Sequence, residues 1–494
     1  MPGLAATDSS SPPADGLPPD QRLPAMLTVL GGIAMTVLDS TMVTLALPGI
    51  VRDLAITEPD AVWVLNAYQL AILALLLPLA KAGDLIGYRR IYLGGLGVFI
   101  VGSVGCLLAG SATQLLVARA LAGAGSAGLF AVNAALVRRI YPVRLLGRGI
   151  AYNSAVVGVA SVAGPALAAA VLSWRPWPWL FALNLPVALA VLALGWRSLP
   201  RTAAAADATP DSGAAAPSRE RLPWADALLN ALMFLGLFLG LQRLVPHGAT
   251  PAQPGVALAL VAGAVVVGIW HVRRQRRRSA PLLPVDLLAI PVFRLSMVTS
   301  VASFAAHTLA AVALPFLLFD ALGRSPAQAG LVLAAWPLAT VASAAVAGRL
   351  IGRVHNGLLG GVGLGLMAAG LGLLALLPNA AATDMALAWR LALCGIGFGL
   401  FQSPNNHTIV TSAPPHRSGG AAGMLGTARL TGQSLGALVV GALYGASGAF
   451  GGLASDVPHL ALGVAAGLGA LGAVTSLRRM AAGPIKPPSG PASG

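Results

Sequence analysis

The 494-residue sequence predicts an all-α polytopic membrane protein with fourteen transmembrane helices. Three observations carry this. Hydrophobic residues make up 56% of the chain and charged residues only 10%, against about a quarter charged in soluble domains. Apolar stretches of about 20 residues, each long enough to cross a bilayer as a helix, recur from end to end. The basic residues fall in the short connections between those stretches, as the positive-inside rule describes. The short alternating segments of a β-barrel are absent from the sequence. The net charge of +15 is therefore a topology signal. Nucleic-acid binding would need basic residues gathered on one face.

In chain order, Met1 to Asp20 is rich in Pro, Ala and Ser and lacks the basic start of a secretory signal, so it reads as a disordered tail. Hydropathy then gives spans at 25–49, 61–80, 91–110, 113–137, 149–172, 179–197, 223–244, 255–271, 292–319, 327–348, 355–377, 385–408, 421–445 and 458–477. Pro48, Pro78, Pro165, Pro186, Pro315, Pro337 and Pro404 lie in or at the ends of spans, where neighbouring helices re-satisfy the freed backbone groups. Cys106 and Cys394 both fall in apolar runs and read as small core residues, with neither a disulfide framework nor a metal cluster.

Orientation follows from the arginines. Connections from odd to even spans hold Arg52, Arg175, Arg243 and Arg324, while the other connections and the tails hold about twenty-four Lys or Arg, including Arg138, Arg139, Arg144, Arg148 and the run 273–278. Both termini are thereby expected in the cytoplasm, in agreement with an even number of spans. The Pro/Ala-rich segment 199–221 and the basic segment 273–290 set spans seven and eight apart as a central pair.

Six spans remain on each side, and they repeat. Gly83-Asp84-Leu85-Ile86-Gly87 follows span two, and Gly348-Arg349-Leu350-Ile351-Gly352 follows the second span of the later half. Arg119 precedes Gly128-Leu129-Phe130 by the interval at which Arg390 precedes Gly399-Leu400-Phe401. Such repeats mark secondary transporters, whose substrate site lies near the midplane between the halves. The expected organisation is a tail at 1–24, a six-helix bundle at 25–198, a linker with two extra helices at 199–290, a second bundle at 291–478 and a tail at 479–494.

The first span carries an acid, Asp39, which costs about 2.5–3.5 kcal/mol at the centre of a membrane helix and reads as functional. At 1.5 Å per residue it sits about 20 Å from the cytoplasmic start of its helix, and Arg119 in span four lies about 9 Å from the outer end of an antiparallel one. The two depths permit a pairing. Desolvation favours the neutral carboxyl and an arginine neighbour the charged one, a balance that suits a proton relay; a static Asp–Arg lock between helices is the other reading. After span two, Lys81, Asp84, Arg89 and Arg90 crowd a turn in which Gly83 and Gly87 permit a tight bend. These charges fix topology, and Asp84 is also suited to a conformational latch that holds a basic group or helix N-terminus in one state.

The same residues carry a family resemblance. G-D-L-I-G-Y-R-R (83–90) resembles the signature loop of the major facilitator superfamily, and L-D-S-T-M-V-T-L-A-L-P (38–48) resembles the first-helix motif of its fourteen-span drug:proton antiporter branch. Trp177-Pro-Trp-Leu-Phe181-Ala-Leu-Asn184-Leu-Pro186, the stretch Arg417 to Gln433 with Arg429 and Gly432, and Gly164-Pro165 resemble further motifs of that branch, the last its antiporter motif. The chain is most similar to exporters of quaternary ammonium compounds and methyl viologen. It departs at Ala80, Leu85 and Ala122, and Ala160, Ala168 and Ala169 stand where flanking glycines are usual; alanine still permits close helix packing.

The resemblance implies a proton-coupled antiporter that exports lipophilic cations by alternating access, with Asp39 and Arg119 in proton coupling. It also implies a cavity lined by spans one, two, four, five and their repeat partners. Those spans offer Trp63, Asn66, Tyr68, Gln69, Tyr152, Asn153, Phe304, His307, Trp336, Phe401, Gln402, Asn405 and Asn406. Aromatic faces attract a delocalised cation by about 0.5–2 kcal/mol each, although Trp and Tyr near span ends also serve as interfacial belts. His307 suits either proton handling or helix packing, and Asp320 reads as a solvated acid at the outer mouth. No nucleophile–base set and no phosphate-binding Gly-Lys-Ser/Thr loop occurs in the sequence, so neither an enzyme nor ATP drive is expected. Expected partners are protons, small cationic molecules and the inner-membrane bilayer, with no cofactor, for a monomer.

Overall fold

The computed structural model describes residues 16–200, 224–244, 253–277, 283–414, 417–446 and 457–481. Fourteen long helices account for almost all of them: α1 (Pro19–Leu54), α2 (Glu58–Ile86), α3 (Tyr88–Leu107), α4 (Ala112–Ile140), α5 (Leu146–Leu172), α6 (Pro178–Ser198), α7 (Trp224–Gln242), α8 (Pro254–Arg276), α9 (Pro291–Phe316), α10 (Pro326–Leu350), α11 (Asn356–Ala375), α12 (Asp384–Ser412), α13 (Ser418–Ala446) and α14 (Val457–Ala481). Each expected span falls on one of them, with the ends shifted by a few residues. Thirteen are long and apolar enough to cross a membrane. The fourteenth, α13, is diluted by Thr427, Arg429, Thr431, Gln433 and Ser434.

Helix starts follow local chemistry. The hydroxyls of Thr57, Ser111, Ser325 and Thr383 accept from backbone N–H groups in the first turns of α2, α4, α10 and α12, and Gln328 completes a capping box with Ser325. Proline occupies the first turn of α1, α2, α6, α8, α9 and α10, where no backbone donor is lost.

Within the first half α2 packs on α4, α3 on α4, α1 on α5 and α6, and α3 on α6. The second half repeats every one of these contacts, as α10 on α12, α11 on α12, α9 on α13 and α14, and α11 on α14. The two halves meet through α2 with α13 and α5 with α10, a reciprocal pair under the same repeat, and through α1 with α9. The α7–α8 hairpin docks on α2, where Asn230 Nδ2 donates to the carbonyl of Ala74 at 2.9 Å. It is pinned at one end by Arg274 and Asp226 at 2.6 Å. Exposed side chains such as Val101, Leu108, Val117, Val159, Leu331 and Leu376 give the outside an apolar surface suited to lipid.

The repeated turns share a backbone. Gly87 has φ 101° and Gly352 has φ 85°, a region L side chains rarely enter, so the same glycine recurs for the same reason. The ends differ from expectation in two places. Helix α1 begins at Pro19, inside the segment assigned to a tail, because Leu17 N–H binds the carbonyl of Ile140 at 3.1 Å and Arg22 binds Leu17 at 2.6 Å. Arg479, also assigned to a tail, is buried in α14. Residues 1–15, 201–223 of the linker and 482–494 lie outside the described residues.

Candidate substrate and coupling site

Asp39 and Arg119 meet. Arg119 Nη1 donates to Asp39 Oδ2 at 2.6 Å, and both side chains are sealed from solvent. The second carboxylate oxygen accepts from Asn184 Nδ2 on α6 at 2.9 Å. Arg119 also donates from Nε to the carbonyl of Val64 at 3.2 Å. Its guanidinium lies over the ring of Tyr68 at 4.2 Å and near that of Phe181 at 5.7 Å. The Tyr68 hydroxyl is in turn 2.8 Å from Ser126 Oγ. A buried ion pair holds when its remaining polar groups are satisfied; here α2 and α6 supply hydrogen bonds and Tyr68 and Phe181 supply ring faces, while Arg119 Nη2 has no hydrogen-bond partner among the described residues. Asp39 points into the first bundle, towards α4 and α6.

Gly164 and Pro165 set the contact of α5. A Cβ on Gly164 would collide with Thr41 Oγ1, part of the first-span motif, and the carbonyl of Pro165 faces Gly330 on α10. One motif thus fits α5 both to α1 within the bundle and to α10 across the halves.

Between the halves lies an aromatic group. Phe304 and His307 on α9 share a face, and Phe398 on α12 meets the first edge-on at 5.4 Å and stacks on the second at 4.8 Å. Trp336 on α10 meets His307 edge-on at 5.1 Å. Arg429 on α13 reaches this group, 5.9 Å from the Phe304 ring and 5.8 Å from the Phe130 ring of the other half. Tyr68, whose ring lies over the Arg119 guanidinium, also interacts electrostatically with Arg429.

At the turn after α2, the Tyr88 hydroxyl donates to Asp84 Oδ1 at 2.6 Å, and Arg89 Nη2 binds the carbonyl of Trp196 at 2.5 Å. Asp84 and Arg90 are exposed, and Lys81 is partly buried. In this state Asp84 is held within its own turn.

Residues 29–298 and 295–493 match the Major Facilitator Superfamily. The chain belongs to that superfamily. Its similarity is 51% over 427 residues to the uncharacterized transporter YebQ of Escherichia coli (strain K12), covering 86% of this chain and 90% of that one. A tetracenomycin C resistance and export protein of Streptomyces glaucescens is 30% identical, with 87% of this chain and 77% of the other covered. The riboflavin transporter RibZ of Clostridioides difficile (strain 630) is 26% identical over 84% and 87%. Among solved structures, the peptide transporter POT in complex with sulfate shares the fold, with TM-score 0.67 over 93% and 94% of the two chains at 15% identity.

The remaining expected site residues of this major facilitator transporter are dispersed. Trp63 and Asn66 line a cleft between α2, α7 and α13 with Gln242 and Leu438. Gln69 is buried, and its Oε1, like Asn66 Oδ1, has no hydrogen-bond partner among the described residues. Tyr152 is exposed, and Asn153 accepts from Asn133 at 3.2 Å. Phe401 and Asn405 turn away from the interface into the second bundle, where Asn405 binds Ser300 at 2.7 Å and Arg479 at 2.7 Å. Gln402 and Asn406 are partly buried beside them. Asp320 lies 3.5 Å from Arg52 with both side chains more than half exposed, a solvated acid that also links α1 to the end of α9. Cys106 lies against Arg119, and Cys394 Sγ approaches the carbonyl of Met367 at 3.8 Å. Asn184 and Arg429 stood in motifs without a role assigned from sequence; polar atoms on otherwise apolar spans were the signal.

Proposed function

We propose that this transporter exports amphipathic small molecules across the cytoplasmic membrane by alternating access, in exchange for protons that Asp39 takes up and gives back. The observation that carries the reading is the sealed Asp39–Arg119–Asn184 network, separated from the aromatic group between the halves by two side chains, Tyr68 and Arg429. Protonating Asp39 removes the charge that holds Arg119, which frees the guanidinium to pull on Tyr68 and so biases the two packings of the halves differently. Gly164-Pro165 supports a rocking contact, because α5 is fitted there to both α1 and α10. Resistance and export proteins among the relatives support the outward direction. The arginine asymmetry supports cytoplasmic termini, and the motifs support the fourteen-span antiporter branch.

Lipophilic cations, such as quaternary ammonium compounds and dyes, are the cargo that the sequence favours. That specificity needs a carboxylate free beside the cargo, so it requires Asp39 to part from Arg119 in another state of the cycle. An endogenous metabolite or antibiotic is the other cargo class that fits the scaffold. The test is uptake into energised inside-out vesicles of a panel that spans cationic, neutral and anionic aromatics. Accumulation that collapses with a protonophore supports antiport, and accumulation indifferent to it contradicts antiport.

A further inference from the structure

We propose that the aromatic group between the halves is a binding site for an anion, the acidic headgroup of an aromatic or amphipathic molecule, anchored on Arg429. The inference deepens the export reading by naming its substrate class, and so rests on it.

The residues lead there in three steps. First, Arg429 lies about 17 Å into α13 by helix rise, where an uncompensated cation is costly. Gly432 and Gly436 bring α13 onto the backbone of α9 at Val301 and Ala305, which sets Arg429 one turn earlier beside Phe304. No carboxylate pairs with Arg429 among the described residues, and no hydrogen bond to it is found among them. Its ring contacts at 5.8 and 5.9 Å are at the outer limit of cation–π attraction, so they do not neutralise it.

Second, a neighbouring donor is in want of an acceptor. Trp336 is 6% exposed, and its Nε1–H has no partner among the described residues. His307 Nδ1, which donates or accepts according to the ring's tautomer, is also without a partner there, against the Trp336 ring. Buried donors left unpaired are rare and point to a missing acceptor. An indole N–H can only donate, so a cation offers it nothing, whereas a carboxylate, sulfonate or phosphate oxygen satisfies it and the guanidinium together.

Third, among the described residues no acid acts on Arg429 or His307. Of the carboxylates buried within the helices, Asp39 is bound by Arg119 and Asn184, and Asp226 by Arg274, while Glu58 and Asp320 stand at helix ends. Phe304, Phe398 and Phe130 supply apolar faces for the body of the ligand.

The test uses purified full-length protein and three probes that share a naphthalene ring: 2-naphthoate, 2-naphthalenemethanol and 2-naphthyltrimethylammonium. Equilibrium binding is measured by calorimetry without a pH gradient. A charge-assisted contact predicts that naphthoate binds about tenfold or more tighter than the alcohol, and the ammonium more weakly than either. Arg429→Gln should bring naphthoate to the level of the alcohol and leave the alcohol unchanged, which also reports an intact site. If that variant does not fold, Trp336→Phe keeps the ring, loses only the donor, and should weaken naphthoate alone severalfold. Tightest binding of the ammonium, an unchanged naphthoate preference in Arg429→Gln (or in Trp336→Phe where that variant stands in), or no binding of any probe to the wild type overturns the anion site. Because no gradient is applied, failure of proton coupling in vesicles leaves this result standing, and protonophore-sensitive efflux with no charge preference overturns the anion site alone.

Discussion

The two halves of the transporter share a scaffold and differ in where charge is placed. Arg119 and Arg390 occupy matching positions nine residues ahead of Gly-Leu-Phe, yet among the described residues only the first has an acid. Arg390 Nη1 turns back to the carbonyl of Ala386 on its own helix at 2.7 Å and lies 4.4 Å from the Trp389 ring. The reason is on α9, the counterpart of α1: between Pro291 and Phe316 it carries no acid. The first half therefore holds a buried charge pair, and the second offers Arg429 to the interface with no acid paired to it among the described residues. Duplication supplied the helix packing, and loss of symmetry in a few side chains supplied the chemistry.

That contrast is most easily broken at the two arginines. Arg119→Met should destabilise the protein by about 3–5 kcal/mol, because it leaves the Asp39 carboxylate buried without its cation. Arg390→Met should cost no more than about 1.5 kcal/mol, the value of one hydrogen bond. Denaturant unfolding in detergent measures both, and equal losses would mean that the halves are not differently charged in any energetic sense. Next in size, Asn184→Ala removes a hydrogen bond to an ionised oxygen and should cost about 1.5–3 kcal/mol, readable in the same assay.

The shared turns give the control. Gly87→Ala and Gly352→Ala each force a side chain into positive φ and should each cost about 1–3 kcal/mol, by thermal unfolding, with similar losses expected because the backbone is the repeated feature. The smallest stability effect is expected at Asp84. Its Tyr88 contact is exposed, so Asp84→Asn should change stability by less than about 1 kcal/mol while slowing transport, if the turn latches in another state. Unchanged transport rates would remove the latch.

The helices were legible because span length and hydropathy are set by the bilayer, and α1 to α14 fall where apolar runs do. The Asp39–Arg119 pairing was legible too, since a regular helix converts sequence position into depth. What depth does not give is rotation about the helix axis, which packing decides. Asn405 and Phe401 read as cavity residues by type, and α12 turns them into the second bundle. Asn184 was one polar residue in a motif, and only the approach of α6 to α1 reveals its partner. Arg429 was plain in the sequence, but its lack of a counter-ion is a property of every helix around it. The turn at Gly352 shows the converse: a local backbone need is carried by one residue and is visible without any packing.

Proteoliposomes that report internal pH and cargo together, loaded with the panel compound that the wild type exports best, read proton exchange and export at once. The wild type should move protons inward as cargo leaves, and Asp39→Asn should move none while still exchanging cargo without a gradient. Proton movement in Asp39→Asn equal to that of the wild type would contradict proton uptake by Asp39.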